Sequence, residues 1–496
     1  MKENVTENGS HETLDPANWE QVKKLGTTML EDMIGYLQEI RQQPVWQPVP
    51  GDVRTYFEQP LPESPQSPEA VYAAFRKYIL PYNIGNVHPK FWGWVMGTGS
   101  VQGMLADMLA AGMNSCVGIG DQAPMYADRQ VISWCKEMMG FPPESSGTLV
   151  AGASAANLNA LIVARNAAGS YIREKGLPSR GYTMVLYASA ETHSSVQKAA
   201  EIIGIGSENV RKIRTDNHFR LDPAHLEAAI IEDLAGGQLP FCVVANAGTV
   251  NTGAIDPLKD IHAICEKYNL WFHVDGAFGA LAKLLPEFGE ELQYIEKADS
   301  LAFDLHKWMY MPYEAGVVLV RDARLHRSSF ALQPEYIAHQ EGGIAAGPEL
   351  VSNFGFDLSR NFKALKVWMG LLEHGIGKFR RLIRQNIRQA QYLRNLVLRH
   401  FDLELMAPVS LNIVCFRYKP CKDEKVLDEL NQALLVQLQE RGIAAPSYTR
   451  INGKYCLRVA ISNHRSEQKD FDELIGQALT IGAELFEKKR GVFFDT

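Results

Sequence analysis

The sequence predicts an α/β protein with a mostly parallel sheet, preceded by a helical arm and followed by a smaller α+β domain. Between about residues 145 and 325, short apolar runs alternate with helical stretches. The runs are apolar on both faces, which is typical of strands covered by helices on both sides. Ligands bind at the carboxyl ends of such strands, so the polar residues after each run form the candidate site. The predicted strands are residues 182–187, 241–245, 270–274, 300–303 and 316–320.

Length and composition agree with a large globular protein. A chain of 496 residues is too long for a single hydrophobic core. With 46% apolar and 22% charged residues, it is also too apolar to be disordered. The 50 basic and 57 acidic residues are interspersed, with a net charge of −7, so no nucleic-acid partner is expected. No run approaches the roughly 20 apolar residues of a membrane span, and the polar N-terminus is unlike a signal peptide. We therefore expect a cytoplasmic protein without a membrane partner or a metal site.

The seven cysteines include no C-x-x-C pair, and most of them have apolar neighbours. Such a sparse, odd-numbered set is typical of reduced core residues. No disulfide framework is predicted.

The first elements are predicted to form an arm. Asp15 and Pro16 are expected to cap a helix whose apolar stripe runs over residues 19–40. Residues 44–68 contain seven prolines and predict an extended connector, after which Ser67 starts another helix. Because a helix beside an extended segment cannot bury its own stripe, the arm is expected to wrap another subunit or the main domain.

The last part of the chain predicts a small α+β domain. A basic helical stretch at residues 366–400 precedes strands at 411–416 and 456–461, with another helix between them. The predicted divisions are the arm at residues 1–88, a large α/β domain at 89–363 and the small domain at 364–496.

Two strand ends carry groups suited to a phosphorylated ring. The turn at residues 152–157 contains Ser154 and opens a helix, where free N–H groups bind phosphate, although such turns are more often simple close packing. Asp275 ends an apolar strand, with His273 predicted on the same face. A carboxylate there needs a cation or donor, such as a protonated ring nitrogen, or it caps the next helix.

Three further strand ends add an amine, an imidazole and a hydroxyl. Lys307 follows an apolar run, and a desolvated lysine suits Schiff-base chemistry, whereas most loop lysines are solvated. His193 and Thr249 follow two other runs. Each residue alone is weak evidence, and a lone histidine such as His193 is more often a helix-terminal or packing residue than a catalytic one. Together the five ends supply what pyridoxal phosphate needs.

Two motifs about thirty residues apart carry a family resemblance: His-Val-Asp-Gly-Ala, which starts at His273, and Asp-Leu-His-Lys-Trp, which ends at Trp308. The sequence resembles the fold-type I pyridoxal-phosphate amino-acid decarboxylases of group II, from about Pro81 to Ser462. This family includes aromatic L-amino-acid, histidine, glutamate and cysteine-sulfinate decarboxylases. The resemblance implies a seven-stranded sheet and an obligate homodimer, with the site at the interface and the arm across the partner.

The resemblance also implies a role for each site residue. Lys307 is the Schiff-base lysine, Asp275 pairs with the pyridine nitrogen, and His193 stacks on the ring. Tyr336, in a glycine-flanked loop predicted to be mobile, protonates the carbanion, although an ordinary loop tyrosine would read the same. The further cofactor contacts are Thr249 and Ala277 near the ring and Ala153, Ser154 and His306 at the phosphate.

Substrate choice depends on a few residues. Trp94 matches an aromatic position of the pocket and suits a flat ring, although part of this aromatic stretch also fits a core cluster. Arg458 matches an arginine that contacts a substrate carboxylate in the glutamate branch. Asp304 replaces an asparagine that contacts the phosphate in the aromatic branch, so that contact is in question.

The resulting prediction is decarboxylation of an aromatic L-amino acid, of the tyrosine, DOPA, tryptophan or phenylalanine type, to its amine and carbon dioxide. Two alternatives use the same cofactor: a decarboxylase of glutamate, aspartate or cysteine sulfinate, and an aromatic aldehyde synthase. The presence of both Tyr336 and His193 favours the amine. A catalytically silent interaction protein is a third alternative, against which the retention of Lys307, Asp275 and His193 argues.

Overall fold

The structure is a computed structural model that describes residues 13–169, 171–177, 183–332 and 340–494. The chain forms two compact units. Among the described residues, the first unit comprises 13–43 together with 49–83, and the second comprises 44–48 together with those from 84 onward. In the described ranges, no helix has an apolar stretch long enough to cross a membrane.

The first unit is helical, with α1 (Trp19–Glu39), α2 (Gly51–Tyr56) and α3 (Pro68–Ala74). Asn18 caps α1: its side-chain oxygen accepts the N–H groups of the second and third helical residues at 3.1 and 3.2 Å. The predicted cap at Asp15 and Pro16 is therefore wrong. A cap acts on donors two or three positions ahead, and Asp15 lies too early to reach them.

The sequence predicted that the proline-rich segment is extended, but the structure has a short helix within it. Pro50 has an extended backbone and directly precedes α2, a short proline-free helix in which Val53 is buried. Prolines therefore mark the ends of this helix rather than exclude it. The predicted start of α3 is confirmed, because the Ser67 hydroxyl accepts the Ala70 N–H at 3.2 Å and Pro68 occupies the first helical position.

The second unit alternates strands and helices as predicted, then continues into a separate strand and helix group. Its elements, in chain order, are β1 (Phe91–Trp92), α4 (Val101–Met113), α5 (Ala123–Met139), β2 (Ser146–Val150), α6 (Ala153–Ala168), α7 (Ile172–Lys175), β3 (Met184–Ser189), α8 (Ser194–Ile202), β4 (Val210–Ile213), α9 (Pro223–Ala235), β5 (Leu239–Asn246), α10 (Leu258–Tyr268), β6 (Trp271–Asp275), α11 (Gly289–Leu292), β7 (Ser300–Asp304), α12 (Leu305–Trp308), β8 (Gly316–Val320), α13 (Ala323–Phe330), α14 (Ala364–Arg399), β9 (Leu403–Leu405), β10 (Ile413–Tyr418), α15 (Glu424–Glu440), β11 (Ala445–Ile451), β12 (Lys454–Ala460) and α16 (Gln468–Phe494).

Seven strands form the larger sheet in the order β2-β8-β7-β6-β5-β3-β4. Strand β8 is antiparallel to both of its neighbours, and the other pairs are parallel. The predicted mostly parallel, seven-stranded sheet is thus confirmed. Every residue of β3, β7 and β8 is buried, as expected for strands covered on both faces.

The remaining strands form a five-stranded sheet in the order β1-β11-β12-β10-β9. Its first strand comes from far earlier in the chain: Phe91 pairs with Ala445 in parallel register. The pairing brings residues just after β1 next to the C-terminal strands. As a result, Trp94 lies beside Arg458 of β12, and the two contribute to one cavity.

Candidate active site

A cavity of about 740 Å³ lies at the carboxyl ends of β5, β6 and β7, beside the first turn of α6. Thr249 does not line it, although Gly248 and Val250 do. Tyr336 lies outside the described residues. The predicted site residues that line the cavity are Trp94, Ala153, Ser154, His193, Asp275, Ala277, His306, Lys307 and Arg458.

The lysine of the site is paired with a carboxylate. Lys307 follows β7 in the short helix α12, and its Nζ lies 3.0 Å from Oδ2 of Asp304, the last residue of β7. The residue Asp304 as a whole is almost completely buried, at 1% exposure. Its other oxygen, Oδ1, has no hydrogen-bond partner among the described residues. Asp304 therefore faces the lysine with one oxygen and leaves the second uncompensated.

His306 is held as a neutral ring with its proton on Nε2. Its Nδ1 accepts the Ala315 N–H at 3.1 Å, so Nε2 is the atom that carries hydrogen. Burial lowers the pKa of His306, which favours the neutral form. Nε2 lies 3.7 Å from Asp304 Oδ2, and the Tyr313 ring packs against the imidazole with centroids 4.4 Å apart.

Two glycines allow close packing at the start of α6. A Cβ on Gly316 would lie 2.5 to 2.8 Å from backbone atoms of Gly152, so the two segments approach as closely as only glycine allows. A Cβ on Gly152 would in turn lie 3.3 Å from His306 Cε1. The backbone of Ala153 and Ser154 forms the first turn of α6 at the cavity wall. An exposed helix N-terminus of this kind is suited to a phosphate group.

Asp275 is held by two N–H donors at the end of β6. Asn157 Nδ2 donates to its Oδ2 at 2.8 Å, and the Ala277 N–H donates to its Oδ1 at 3.1 Å. His273 Nε2 lies 2.9 Å from Asn157 Oδ1, so the predicted common face of His273 and Asp275 is confirmed. Burial lowers the pKa of His273 to about 4, and the neutral ring donates from Nε2 while Nδ1 accepts from the Ser300 hydroxyl at 2.9 Å.

The same amide reaches His193. Ser195 Oγ accepts from Asn157 Nδ2 at 3.1 Å, and His193 Nδ1 accepts both the Ser195 N–H at 3.2 Å and its hydroxyl at 2.8 Å. The His193 proton is therefore on Nε2, and burial lowers the pKa of this ring as well. The sequence reasoning did not single out Asn157. Its position three residues after Ser154, on the same helix face, was the available signal.

Thr249 is placed differently from the other ring contacts. Its hydroxyl accepts the Ala254 N–H at 3.0 Å and lies 3.1 Å from Thr252 Oγ1. The side chain is fully buried. In the structure, Thr249 thus closes the turn after β5, and its neighbours Gly248 and Val250 line the cavity in its place.

The hydrogen-bond donors of Arg458 are paired with other groups of the protein. Its guanidinium donates to the carbonyl oxygens of Trp94 at 2.6 Å, of Asn251 at 3.0 Å and of Val250. It also donates to Ser447 Oγ at 3.3 Å. These bonds use four of the five N–H groups of an arginine. Arg458 therefore fastens the loop after β5 and the segment after β1 to the small sheet.

The wall beside Arg458 is aromatic. Trp94 is 57% exposed, and Tyr448 is 61% exposed and stacks on Tyr455 with ring centroids 5.1 Å apart. Phe278 lines the same cavity from the loop after β6. Exposed aromatic faces of this kind pack well against a flat, apolar ring.

Comparison with known proteins agrees with this site. Residues 50–419 match the pyridoxal-dependent decarboxylase conserved domain. The chain is 32% identical to an aromatic-L-amino-acid decarboxylase of Bacillus atrophaeus, over 94% of this chain and 96% of that protein. It is 31% identical to a phenylacetaldehyde synthase of Arabidopsis thaliana, over 94% and 95%. The crystal structure of Oryza sativa TDC with PLP and tryptamine is similar with a TM-score of 0.87 and 25% identity, covering 95% of this chain and 100% of that one. The chain therefore belongs to the pyridoxal-dependent decarboxylase family, as a pyridoxal-phosphate-dependent amino-acid decarboxylase with the fold-type I architecture.

Proposed function

We propose that this decarboxylase converts an aromatic L-amino acid to carbon dioxide and the corresponding amine. The main support for this proposal is that the hydrogen-bond donors of Arg458 are already used within the protein. Its donors are committed to backbone carbonyls, so it offers little to a substrate carboxylate, whereas Trp94 and Tyr448 present exposed rings. An acidic side chain would have to displace those carbonyls and would leave them unpaired in a buried place, at a cost of about 1–3 kcal/mol each.

Two relatives support the aromatic assignment, and one keeps the product open. The Bacillus atrophaeus relative is an aromatic-L-amino-acid decarboxylase, and the Oryza sativa structure contains tryptamine. The Arabidopsis thaliana relative is an aldehyde synthase. His193 and Tyr336 together favour the amine, because the resemblance assigns proton delivery to such a tyrosine.

The described residues fit pyridoxal phosphate. The first turn of α6 and the Nε2–H of His306 offer donors to the phosphate, and Lys307 offers an amine. Asp275 offers a carboxylate whose two oxygens already accept N–H donors. When bound, the cofactor supplies an electron sink for the carbanion that remains when carbon dioxide leaves.

Residues of the chain then have separate roles in the reaction. Asn157 and the Ala277 N–H orient the Asp275 carboxylate, which would hold a proton at the pyridine nitrogen of the bound cofactor. Ser195 fixes the tautomer of His193, whose neutral ring would cover the bound cofactor. Lys307 anchors the cofactor, and Tyr336 delivers a proton to the α-carbon of the substrate.

We also propose a cytoplasmic homodimer in which the division at residues 88 and 363 separates arm, large domain and small domain. Helix α4 exposes Met108, Leu109 and Met113, each about half exposed. Helix α1 has no buried residue and exposes Trp19. A second copy of the chain would cover both apolar surfaces. The seven cysteines are free, which suits a reducing compartment.

Replacing Asn157 with alanine should weaken cofactor binding. Asp275 would lose one N–H donor and Ser195 another, so we expect the dissociation constant for pyridoxal phosphate to rise about tenfold or more, measured by absorbance titration. Asn159→Ala is the matched control. Asn159 is equally buried in α6 but bonds to the Phe354 carbonyl and His326 instead. Equal weakening in both variants would remove the positioning role from Asn157.

A substrate panel tests the proposed reaction. The cofactor-loaded enzyme is incubated with tyrosine, DOPA, tryptophan, phenylalanine, histidine, glutamate, aspartate or cysteine sulfinate. Carbon dioxide, amine, aldehyde and peroxide are measured for each. We expect carbon dioxide and amine from the aromatic set, because the cavity wall is aromatic and Arg458 is occupied. Carbon dioxide from the acidic set alone would overturn the aromatic assignment.

The Tyr336→Phe variant tests the assignment of the product, which for this residue rests on the sequence. Without the phenolic proton the product should shift from amine toward aldehyde, measured as the amine-to-aldehyde ratio from one aromatic substrate. Tyr448→Phe, a change of the same kind in the cavity wall, should leave the ratio unchanged. A ratio that stays constant in Tyr336→Phe would exclude Tyr336 from proton delivery.

A substitution on the exposed apolar face of α4 tests the proposed homodimer. Leu109→Lys places a charge on the exposed apolar face and should convert a dimer to a monomer, measured by light scattering after size-exclusion chromatography. Phe401→Lys is the control, since Phe401 is 99% exposed outside this face. A monomeric wild-type protein, or a dimer unaffected by Leu109→Lys, would contradict the proposed interface.

A further inference from the structure

The buried carboxylate Asp304 contacts the site lysine but has no part in the steps above. We propose that Asp304 accepts the proton that Lys307 must lose before it binds the cofactor, and that the resulting carboxylic acid keeps this proton and donates a hydrogen bond with it to the cofactor phosphate. The inference rests on the proposed role of Lys307. It assigns a function at the position where the aromatic branch of the family has asparagine.

The oxygen Oδ2 of Asp304 is placed to accept the proton of Lys307. It lies 3.0 Å from Lys307 Nζ, within direct proton-transfer distance. A lysine attacks an aldehyde carbon only as the neutral amine. Transfer of one proton converts the ammonium and the carboxylate into an amine and a carboxylic acid. The amine nitrogen then bonds to the aldehyde carbon, whose oxygen leaves as water, and the net charge of the site does not change.

Burial favours this transfer over an exchange with solvent. The Asp304 side chain is 2% exposed and that of Lys307 is 23% exposed. Transfer within the pair replaces two buried charges with two neutral groups, which removes the cost of keeping them desolvated. Once Lys307 is bonded to the cofactor, its ammonium no longer compensates a carboxylate at Asp304.

The hydrogen bond to the phosphate depends on the other oxygen of Asp304, Oδ1. This oxygen is buried without a partner among the described residues. It lies 3.7 Å from the point that a Cβ on Gly152 would occupy, directly before the first turn of α6. An ionised carboxylate beside a bound phosphate would repel it. A carboxylic acid instead donates its O–H to a phosphate oxygen, a short and strong hydrogen bond that takes the place of an asparagine N–H.

The other titratable groups that face Asp304 are poor acceptors for the lysine proton. His306 Nδ1 already accepts the Ala315 N–H. His193 Nδ1 already accepts from Ser195, and its interaction with Asp304 is electrostatic. Tyr313 carries a proton on its hydroxyl at neutral pH, where burial raises the pKa of the phenol. Asp304 is left as the acceptor next to Lys307.

Infrared difference spectroscopy tests the inference directly. Spectra of the wild-type protein with and without pyridoxal phosphate are compared, with the aspartate carboxyl carbons labelled with carbon-13 and unlabelled. We expect a carboxylic-acid C=O band that appears on cofactor binding and shifts with the label. The band should be absent in Asp304→Asn. It should persist in Glu314→Gln, which removes a carboxylate from the same cavity wall that pairs with Lys363 instead.

The rate of Schiff-base formation gives a second readout. In the wild-type protein the proton moves within the pair, so the rate should depend little on pH. In Asp304→Asn the proton must go to water, so the rate should fall about tenfold for each pH unit below the range in which a lysine amine is neutral. Stopped-flow absorbance measures both. Equal pH profiles would overturn the inference.

The outcomes separate this inference from the proposed function. Without a visible Schiff-base band in the wild-type protein, the role of Lys307 fails. A visible band without a label-sensitive carboxylic-acid band overturns the role of Asp304 alone. If Asp304→Asn does not fold, the labelled wild-type spectrum still decides.

Discussion

One buried amide, Asn157, connects the parts of the site that must stay in register. Its two N–H groups reach Asp275 and Ser195, and its oxygen accepts from His273. Through Ser195 it also fixes the tautomer of His193. An amide has the donors and acceptor for all three contacts without adding a charge, which a second carboxylate or an amine at this position would do. The Asp275 carboxylate and the His193 ring therefore share one anchor on α6.

Much of this arrangement was predictable from the sequence, because parallel strands end at one edge of a sheet. That rule predicts that Asp275, His193 and Lys307 lie together, and all three line one cavity. Strands β2 and β4 were missed for physical reasons. β2 begins with Ser-Gly-Thr, and the edge strand β4 has two charged residues between its two apolar ones. Neither has the continuous apolar run of a central strand.

Residue type alone could not show where donors and hydroxyls point. Arg458 and Thr249 were predicted to contact ligands, yet in the structure one fastens backbone carbonyls and the other closes a turn. The contact of Arg458 with the Trp94 carbonyl depends on the pairing of Phe91 with Ala445, a contact between distant parts of the chain that no local pattern reveals. Long-range pairing therefore limits what sequence reasoning can say about substrate recognition here.

Charge in the cavity follows from these contacts. Among the described residues that line it, the full cations are Lys307, which pairs with Asp304, and Arg458, which is enclosed by carbonyl oxygens. Neither is placed to attract an anionic side chain, because each already has its partners. A flat neutral ring needs no such partner and instead buries the faces of Trp94 and Tyr448, at roughly 25 cal/mol for each Å² of apolar surface removed from water. The proposed aromatic substrate thus depends on apolar contact with the wall and on the lack of an available cation among the described residues that line the cavity.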